Sequence, residues 1–403
     1  MGQQREDETA RVLGQPARWW LVLILGALSA MAPLSIDMYL PSLPDMAASF
    51  GVSATAAQLS ITFCLLGLAV GQLVAGPVSD SRGRRVPLLA GLALYSVASI
   101  LCAWTPSIWL LIGLRLVQGL SGAAGIVIAR TMARDYFSGP RLTEFFGLLM
   151  LVNGAAPVLA PVIGAQILRV TSWHGVFVVL FGVGVVILVG VMFGLPESLP
   201  ADRRRSGELR DTLSTMRGLV ANREFMGAAV GQYLVYAGMF AYIGGSPFVL
   251  QTLFHLSPQV FSAVFATNGV GIIAAGQVTS HWARRLGERR LMLIGAWAAG
   301  IASLVLLTAL LLQWGLWAIL PPLFVVVSSV GTVSTAGTSL ALQKQGHVAG
   351  SASGVLGLGQ MLLGAAAAPL VGLGGSHSAW PMGLVIAVCD VSAVIFSVWL
   401  VRP

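Results

Sequence analysis

Residues 76–85 read GPVSDSRGRR and residues 276–285 read GQVTSHWARR, at an offset of 200 residues. Each stretch begins at a glycine in a long apolar segment and ends in an arginine pair. The same basic loop at the same place in two halves of a chain is typical of transporters built from two related six-helix bundles. Chance is the alternative, because basic residues often follow a membrane span. The length of the chain and its charge pattern favour a duplication.

The composition is that of a membrane protein. Of the 403 residues, 56% are hydrophobic and 9% are charged, with a mean hydropathy of +0.85. A soluble protein would carry charge on about a quarter of its residues. Residues 225–283 and 291–343 contain no Asp, Glu, Lys or Arg. Each run is far longer than the ~20 residues that one helix needs to cross a bilayer, so each must contain more than one span.

Turn signals divide the apolar runs into windows of the length that a membrane helix requires. In chain order, and numbered here as spans 1 to 12, the windows are 20–40, 56–77, 86–104, 107–129, 145–168, 174–195, 225–249, 259–280, 291–312, 316–339, 350–374 and 379–400. The sequence therefore predicts twelve transmembrane helices.

The distribution of basic residues tests this number independently, because cytoplasmic loops retain Lys and Arg. Of the 23 basic residues, all except Arg115 and Arg169 fall in the N-terminal tail, the loops after spans 2, 4, 8 and 10, the central linker or the C-terminal tail. With twelve spans these segments share one side. We therefore expect both termini in the cytoplasm.

These patterns predict an all-α membrane protein with two six-helix bundles and four regions along the chain. The regions are a cytoplasmic tail at 1–18, the first bundle at 19–195, a cytoplasmic linker at 196–224 and the second bundle at 225–403. The N-terminal tail lacks the apolar centre and cleavage site of a signal peptide, so we expect span 1 to be retained.

Several classes of function are disfavoured by the sequence. The three cysteines are isolated, the five histidines fall at loops or span ends, and neither a catalytic cluster nor a Walker motif is visible. The basic residues are spread over short loops, so the pI of about 10.1 follows from topology and needs no nucleic-acid partner. We expect a monomer in the lipid bilayer, without cofactors, that is neither an enzyme nor a scaffold.

Several strings together resemble a known family. GPVSDSRGRR resembles the loop signature of the major facilitator superfamily, and the two-bundle plan matches that fold over the whole chain. MAPLSIDMYLPSLP (31–44), RLVQGLSGAAG (115–125), NGAAPVLAPVIGA (153–165) and HVAGSASG (347–354) are similar to the bicyclomycin-resistance (Bcr/CflA) branch of drug:proton antiporters. The resemblance implies export of antibiotics such as bicyclomycin and other small amphipathic compounds, across the bacterial inner membrane, driven by the proton gradient.

Three ionisable residues lie within predicted spans: Asp37, Arg115 and Asp390. Such residues mark ion or substrate routes, because charge in hydrocarbon is costly. Asp37 and Arg115 lie at similar depths, about 25 Å from one surface and about 12 Å from the other. We expect them to neutralise each other and Asp37 to exchange its proton for drug; a permanent structural ion pair is the alternative. Asp390 has no evident cationic partner, and is either a local structural acid or a second proton site.

The loop after span 2 has the features of a conformational latch. Gly76 would let a neighbouring helix approach closely, and Gly83 would permit a sharp reversal. Asp80 could meet the positive end of a helix or an arginine of the other bundle, with Arg84 bound in one conformation and released in the other. Ordinary topology-setting charge is the alternative. The matching residue of the second half is Ser280, so we expect an asymmetric latch.

Span 5 carries a stripe of Asn153, Pro157, Pro161 and Gly164, with Gly154 beside it. Prolines bend a membrane helix and free carbonyls, which a cavity or a neighbouring helix must satisfy. In the family that the chain resembles, this segment accompanies exporters; a simple kink is the alternative.

A drug site in such a protein should be an apolar cavity with a few polar groups. Aromatic, Met and amide side chains in the spans are the candidates. They are Met38, Tyr39, Gln118, Asn153, Gln232, Tyr236, Tyr242, Phe265, Asn268 and Gln360. The expected function is proton-coupled drug efflux by alternating access, and the alternative is proton-coupled or facilitated uptake or export of a small metabolite.

Overall fold

The computed structural model describes residues 19–204, 209–343, 345, 349–375 and 378–400. Within these ranges, twelve helices are long and apolar enough to cross a membrane, which confirms the predicted number. Spans 1 to 12 are Trp20–Phe50, Ala54–Arg82, Arg85–Ala103, Ile108–Tyr136, Gly139–Ile167, Trp173–Gly194, Arg223–Leu253, Pro258–Leu286, Glu288–Leu311, Leu316–Leu342, Gly350–Gly374 and Trp380–Trp399. The predicted tail 1–18 and the basic residues Arg205, Lys344 and Arg402 lie outside the described residues.

Span 1 is longer than predicted, and it is broken. Its first helix, Trp19–Asp37, ends inside the protein, and after a 3₁₀ turn at Leu40–Ser42 the chain continues as the helix Leu43–Phe50. Pro41 and Pro44 stand in the first turns of the two later pieces, where the missing N–H group of proline is tolerated. The prolines therefore explain why one continuous helix does not form.

Span 7, the counterpart of span 1 in the second bundle, is also irregular at the same end. Its α-helix Arg223–Pro247 passes into a π-helical turn at Phe248–Leu253. Such turns widen the backbone and are often found at functional sites. The first span of each bundle is thus irregular toward the same end of the molecule, although the π-helical turn lies further along span 7 than the break lies along span 1.

Glycines allow neighbouring spans to touch through their backbones. In the first bundle, a methyl group at Gly67 would meet the backbone of Leu116, and one at Gly119 would meet the carbonyl of Cys64. In the second bundle, a methyl group at Gly331 would meet the carbonyl of Ile272. Spans 2 and 4 therefore pack as closely as spans 8 and 10. The predicted close approach at Gly76 is wrong, because a methyl group there would lie 4.0 Å from Val127, an ordinary contact.

The linker contains its own short helix, Leu209–Ala221. Met216 and Leu219 of this helix are buried in an apolar cluster with Phe225, Val355 and Leu356, at the ends of spans 7 and 11. The linker helix thus packs against the second bundle and is not a separate tether between the bundles.

Among the described residues, the hydrogen bonds between the two bundles are concentrated at one end of the molecule. We call the end that carries the loops after spans 2, 4 and 8, with Arg82, Arg134 and Arg284, the arginine-rich end. Four hydrogen bonds cross between the bundles within the described ranges, and all four lie toward the opposite end. The donors and acceptors are Gln58 to Gly244, Thr62 to Ala365, Gln259 to Ala165 and Ser262 to Pro161, at 2.9–3.0 Å. The opposite end is therefore closed.

The glycine contacts give a prediction with a matched control on the same helix. Gly119→Ala should destabilise the protein by about 1–3 kcal/mol, because the added methyl group collides with the Cys64 carbonyl. Gly113→Ala adds a methyl group to open space and should be neutral or gain up to about 1 kcal/mol of helix propensity. Melting temperatures of the two purified variants in detergent measure the difference. Equal melting temperatures would refute the close packing of spans 2 and 4.

Candidate functional site

A cavity of about 340 Å³ lies between the two bundles, in the half of the molecule nearer the arginine-rich end. This volume suits a small drug-sized molecule. Polar groups from both bundles face it. They are Ser29, Gln72, Arg130 and Asn153 from the first bundle, and Ser334, Thr338, Ser353 and Gln360 from the second. Ala32, Pro33, Ile126, Leu356 and Met361 supply the apolar part of the wall.

Arg130 is the charged residue of the cavity wall, and it was not predicted from the sequence. The polar lining residues Ser29, Gln72, Ser334, Thr338 and Ser353 were not predicted either. The predicted window of span 4 ended at residue 129, so Arg130 was assigned to a loop. The helix in fact runs from Ile108 to Tyr136, which carries Arg130 onto the cavity wall. The local sequence gives a weak signal for this, because ARTMARDY (129–136) keeps helix-forming residues around its arginines.

Asp37 lies just beyond the closed end of the cavity. Ser29 and Pro33 of span 1 line the cavity, and Asp37 follows Pro33 on the same helix face, about 6 Å further along. The residue is 6% exposed, and no hydrogen bond or ion pair from the described residues reaches its carboxylate. Asp37 is therefore a buried acid without a partner, one helical turn from a polar cavity.

Arg115 is fully buried and is held by neutral groups. Its guanidinium donates to the Ser35 carbonyl at 2.7 Å and to Gln118 Oε1, and it lies 4.4 Å from the centre of the Tyr39 ring. Ser35 is in the last turn of the first helix of span 1, where carbonyls lack helical partners and the helix dipole is negative. Arg115 therefore caps the break in span 1.

The predicted ion pair between Asp37 and Arg115 is wrong. The ion pairs within the described residues are both made by Arg84, and Asp37 and Arg115 are not within 4.0 Å of each other. The two residues are nevertheless close in the fold, because Arg115 binds the backbone two residues before Asp37. The guanidinium satisfies a backbone carbonyl, which leaves the carboxyl of Asp37 free.

A chain of hydrogen bonds fixes Arg115 and its surroundings. Gln118 donates to the Ser99 hydroxyl at 2.7 Å, and Ser99 donates to the Tyr95 carbonyl. The Tyr95 hydroxyl lies 2.7 Å from the Ser35 hydroxyl, which donates to a carbonyl one turn earlier in span 1. The chain joins spans 1, 3 and 4 around one buried cation, so the position of the break is rigidly held.

The stripe of span 5 lies at the boundary between the bundles. Asn153 lines the cavity, and a methyl group at Gly154 would touch Ile273 of span 8. Both Pro157 and Pro161 lie inside the helix, and the Pro161 carbonyl accepts the hydrogen bond from span 8. At Gly164, a methyl group would meet the carbonyl of Met38. Span 5 thus contacts the cavity, the second bundle and the break in span 1.

The predicted substrate residues fall into three groups, and the first surrounds the cavity. Asn153 and Gln360 line it. Gln232 and Tyr236 stand behind the lining, each hydrogen-bonded to a hydroxyl of span 10 that faces the cavity.

The second group lies in the apolar layer that closes the cavity. Met38, Tyr242 and Phe265 are buried together in this layer, and the rings of Tyr242 and Phe265 stack at 5.5 Å. Asn268 donates to the Tyr242 hydroxyl at 2.9 Å. A molecule in the cavity meets these residues only if the layer opens.

The third group is a correction. Tyr39 and Gln118 are fully buried within the first bundle, where they contact Arg115. Both side chains are used to bind the cation, so in this conformation they are not cavity residues. Spacing along the helices did not distinguish a face turned to Arg115 from a face turned to the cavity.

The latch residues form a network inside the first bundle. Gly83 has a φ of 90°, which a glycine tolerates in the reversal after span 2. Asp80 pairs with Arg84, four residues later, so its partner is not an arginine of the other bundle. Arg84 also binds Asp135, at the end of span 4, at 3.3 Å. In this conformation Arg84 is engaged.

Glu197 joins the start of the linker to this network. Its carboxylate accepts hydrogen bonds from the backbone N–H groups of Arg84 at 2.8 Å, Arg85 at 3.1 Å and Leu199 at 3.0 Å. Burial opposes the charged form, but these three donors and the charge of Arg204 outweigh it and lower the pKa of Glu197. Glu197 therefore caps the helix of span 3, which begins at Arg85.

Asp390 is buried in the second bundle at 1% exposure. Neither carboxyl oxygen has a hydrogen-bond partner among the described residues, and a methyl group at Gly238 of span 7 would lie 3.0 Å from one of them. The absence of a side chain at Gly238 thus leaves room for the Asp390 carboxyl, which is packed within the bundle and does not line the cavity.

Residues 25–403 match the family model of the Major Facilitator Superfamily. The chain is 41% identical over 379 residues to the uncharacterized MFS-type transporter YdgK of Bacillus subtilis strain 168, covering 94% of this chain and 93% of that protein. It is 28% identical over 381 residues to the bicyclomycin resistance protein homolog of Haemophilus influenzae, covering 94% and 96%.

A similarity of fold extends to solved transporters. The crystal structure of a mutant of the nucleoside transporter NupG superposes with a TM-score of 0.78 at 13% sequence identity, covering 95% of this chain and all of that chain (100%). At this identity the likeness concerns the fold.

The cap on span 1 can be tested by Arg115→Lys. The ammonium group of lysine keeps the charge but lacks the planar fork of arginine. It therefore cannot donate to the Ser35 carbonyl and to Gln118 at the same time. We expect the melting temperature to fall by the equivalent of about 1–3 kcal/mol and transport to be partly lost. Arg169→Lys, an exposed arginine bonded to Gln166, is the control and should have no effect. An unchanged melting temperature in Arg115→Lys would refute the cap.

The cap on span 3 predicts a dependence on pH. Because the folded pKa of Glu197 is lowered, its stabilisation is present above the ordinary glutamate pKa of about 4.3 and is lost as the pH falls through the folded value. Glu197→Gln should lower stability by about 1 kcal/mol at neutral pH, and the difference from wild type should shrink in acid. Melting temperatures at pH ~7 and pH ~4 measure this. Glu144→Gln, at an exposed site, is the control. A difference that is equal at both pH values would contradict the assignment.

Proposed function

Because the chain belongs to the Major Facilitator Superfamily, we propose that it exports small antibiotics from a bacterial cell in exchange for protons, by alternating access. Its family and its twelve apolar helices make it a multi-pass membrane transporter and not an enzyme. The proposal rests above all on Asp37, a buried carboxyl that has no hydrogen-bond or ion-pair partner among the described residues. It lies one turn beyond a polar cavity between the two bundles.

The orientation follows from the positive-inside rule. The loops after spans 2, 4 and 8 hold most of the basic residues outside the tails and the linker, so the arginine-rich end is proposed to face the cytoplasm of a bacterial inner membrane. The four hydrogen bonds between the bundles then close the outer side. The conformation described is accordingly inward-facing, with a cavity that receives molecules from the cell.

Asp37 is proposed as the proton carrier. An ionised carboxylate without a hydrogen bond is costly in an apolar layer, so the exchange of a proton at Asp37 would depend on whether the layer around it is closed or open. Opening of the outer end would expose the same group to the proton-rich side. Since the protonated and ionised forms differ in the conformation that they favour, proton uptake and release would bias the two states of the transporter.

Span 5 and the relatives support export as the direction. The bicyclomycin resistance protein homolog is named for drug resistance and matches almost the whole chain. Span 5 contacts the cavity through Asn153, the second bundle through Pro161 and the break in span 1 through Gly164. A bend in span 5 would therefore change the cavity wall and the surroundings of Asp37 at the same time.

The proposal is tested by Asp37→Asn, an uncharged substitution of nearly equal size. We expect gradient-driven drug export to fall by about tenfold or more, because the amide cannot bind and release a proton, while the amount of protein in the membrane is unchanged. Drug accumulation in energised cells, with and without an uncoupler, is the measurement. Asp45→Asn, an exposed acid beyond the break in span 1, is the control. Wild-type export by Asp37→Asn, or export that an uncoupler does not affect, would refute proton exchange at Asp37.

A further inference from the structure

The cavity between the bundles carries an uncompensated positive charge. Arg130 is the charged residue in its lining, and no acidic side chain faces the cavity within the described residues. Neither a hydrogen bond nor an ion pair is formed by the Arg130 guanidinium with these residues. By contrast Arg84, at the same end of the bundle, is neutralised by Asp80 and Asp135. A guanidinium left free beside a cavity is available to a ligand.

Amide groups stand on the walls of the same cavity. Gln72 of span 2, Asn153 of span 5 and Gln360 of span 11 each offer N–H donors. With Arg130 they form a surface rich in donors, whereas the acceptors in the lining are neutral oxygens. Such a surface pairs with carboxylates or other electron-rich oxygen groups, for which the planar fork of arginine is well suited.

The same charge acts against cations. Apolar helices have a low dielectric constant and screen electrostatic interactions poorly. One fixed positive charge in a narrow cavity therefore raises the energy of a second positive charge and attracts a negative one. Arg134 lies one turn beyond Arg130 and adds to the positive field, although it faces the Phe146 ring and is not part of the lining. The potential at the mouth of the cavity is thus positive.

From these contacts we infer that Arg130 is a specificity-determining residue, and that the transported compounds carry an anionic or electron-rich acceptor group instead of a positive charge. The inference rests on the proposed function. Arg130 binds the acceptor group at the arginine-rich end, the three amides orient the remainder, and lipophilic cations are disfavoured. Asp37, at the other end of the cavity, takes no part in this recognition.

The test compares three aromatic probes of different charge in a drug-hypersusceptible bacterial host. The probes are the carboxylate nalidixate, the neutral compound chloramphenicol and the permanent cation ethidium, and the readout is their accumulation with and without an uncoupler. Wild-type protein should expel nalidixate or chloramphenicol in preference to ethidium. Arg130→Gln should reduce expulsion of the preferred probe by about tenfold. Arg130→Glu should shift the preference toward ethidium, and Arg130→Lys should largely keep the wild-type order.

The control is Arg134→Gln, which removes an equal charge one turn away and should leave the order of the probes unchanged. The amount of each variant in the membrane is measured beside transport, so a folding defect is seen directly. If the uncoupler changes the accumulation of none of the probes, the proposed function fails, and this inference fails with it. If export depends on the gradient but ethidium is the preferred probe, or if Arg130→Gln and Arg130→Glu leave the order unchanged, the inference about Arg130 alone is overturned.

Discussion

The break in span 1 is the constraint on which the rest of the structure depends. A helix that ends within the hydrocarbon leaves carbonyls without partners, and these are tolerated there only if the protein satisfies them. Arg115 does so by donating to the Ser35 carbonyl, and Gly164 lets span 5 approach the Met38 carbonyl directly. Because the guanidinium of Arg115 binds the end of the backbone helix, the carboxyl of Asp37 has no cationic partner among the described residues. The same break therefore explains a buried cation and a titratable acid next to it.

The two bundles share an architecture but differ in their charges. Glycines bring span 2 against span 4 and span 8 against span 10, and spans 1 and 7 are irregular at the same end. The buried arginine and the Arg84 network belong to the first bundle. The second bundle contains a buried acid, Asp390, whose carboxyl has no hydrogen-bond partner among the described residues. The first bundle thus carries the charged groups that could bias a conformational change. The second bundle presents mostly neutral surfaces, against which the first bundle can move.

Much of this could be predicted from the sequence, since the number of spans follows from the lengths of apolar runs and the duplication from the repeated basic loop. The contacts within the candidate site could not be predicted in the same way, because they depend on backbone groups and on helix packing that the types of side chain do not reveal. The partner of Arg115 is a backbone carbonyl of another helix, so pairing it with the nearest acid, Asp37, gave the wrong contact. Arg130 was assigned to a loop because its charge ended a hydropathy window, although the helix continues to Tyr136. Tyr39 and Gln118 failed as cavity residues because the orientation of a helix about its own axis is set by packing.

The distance between Arg130 and Asp37 would limit how proton and drug are coupled in the proposed antiport. Arg115 is level with the break beside Asp37, and Arg130 follows it by fifteen residues of the same helix, about 22 Å. At that separation, two unit charges interact by only about 0.8 kcal/mol at an effective dielectric constant of ~20. Direct competition between a drug at Arg130 and a proton at Asp37 would therefore be weak, so the proposed coupling would pass through the opening and closing of the bundles. For an anionic drug the membrane potential also contributes, because an anion moving out and a proton moving in transfer two charges in the same sense, about 4.6 kcal/mol per 100 mV. The proposed preference of Arg130 for anions would thus be compatible with gradient-driven export even though the charges of Arg130 and Asp37 interact only weakly.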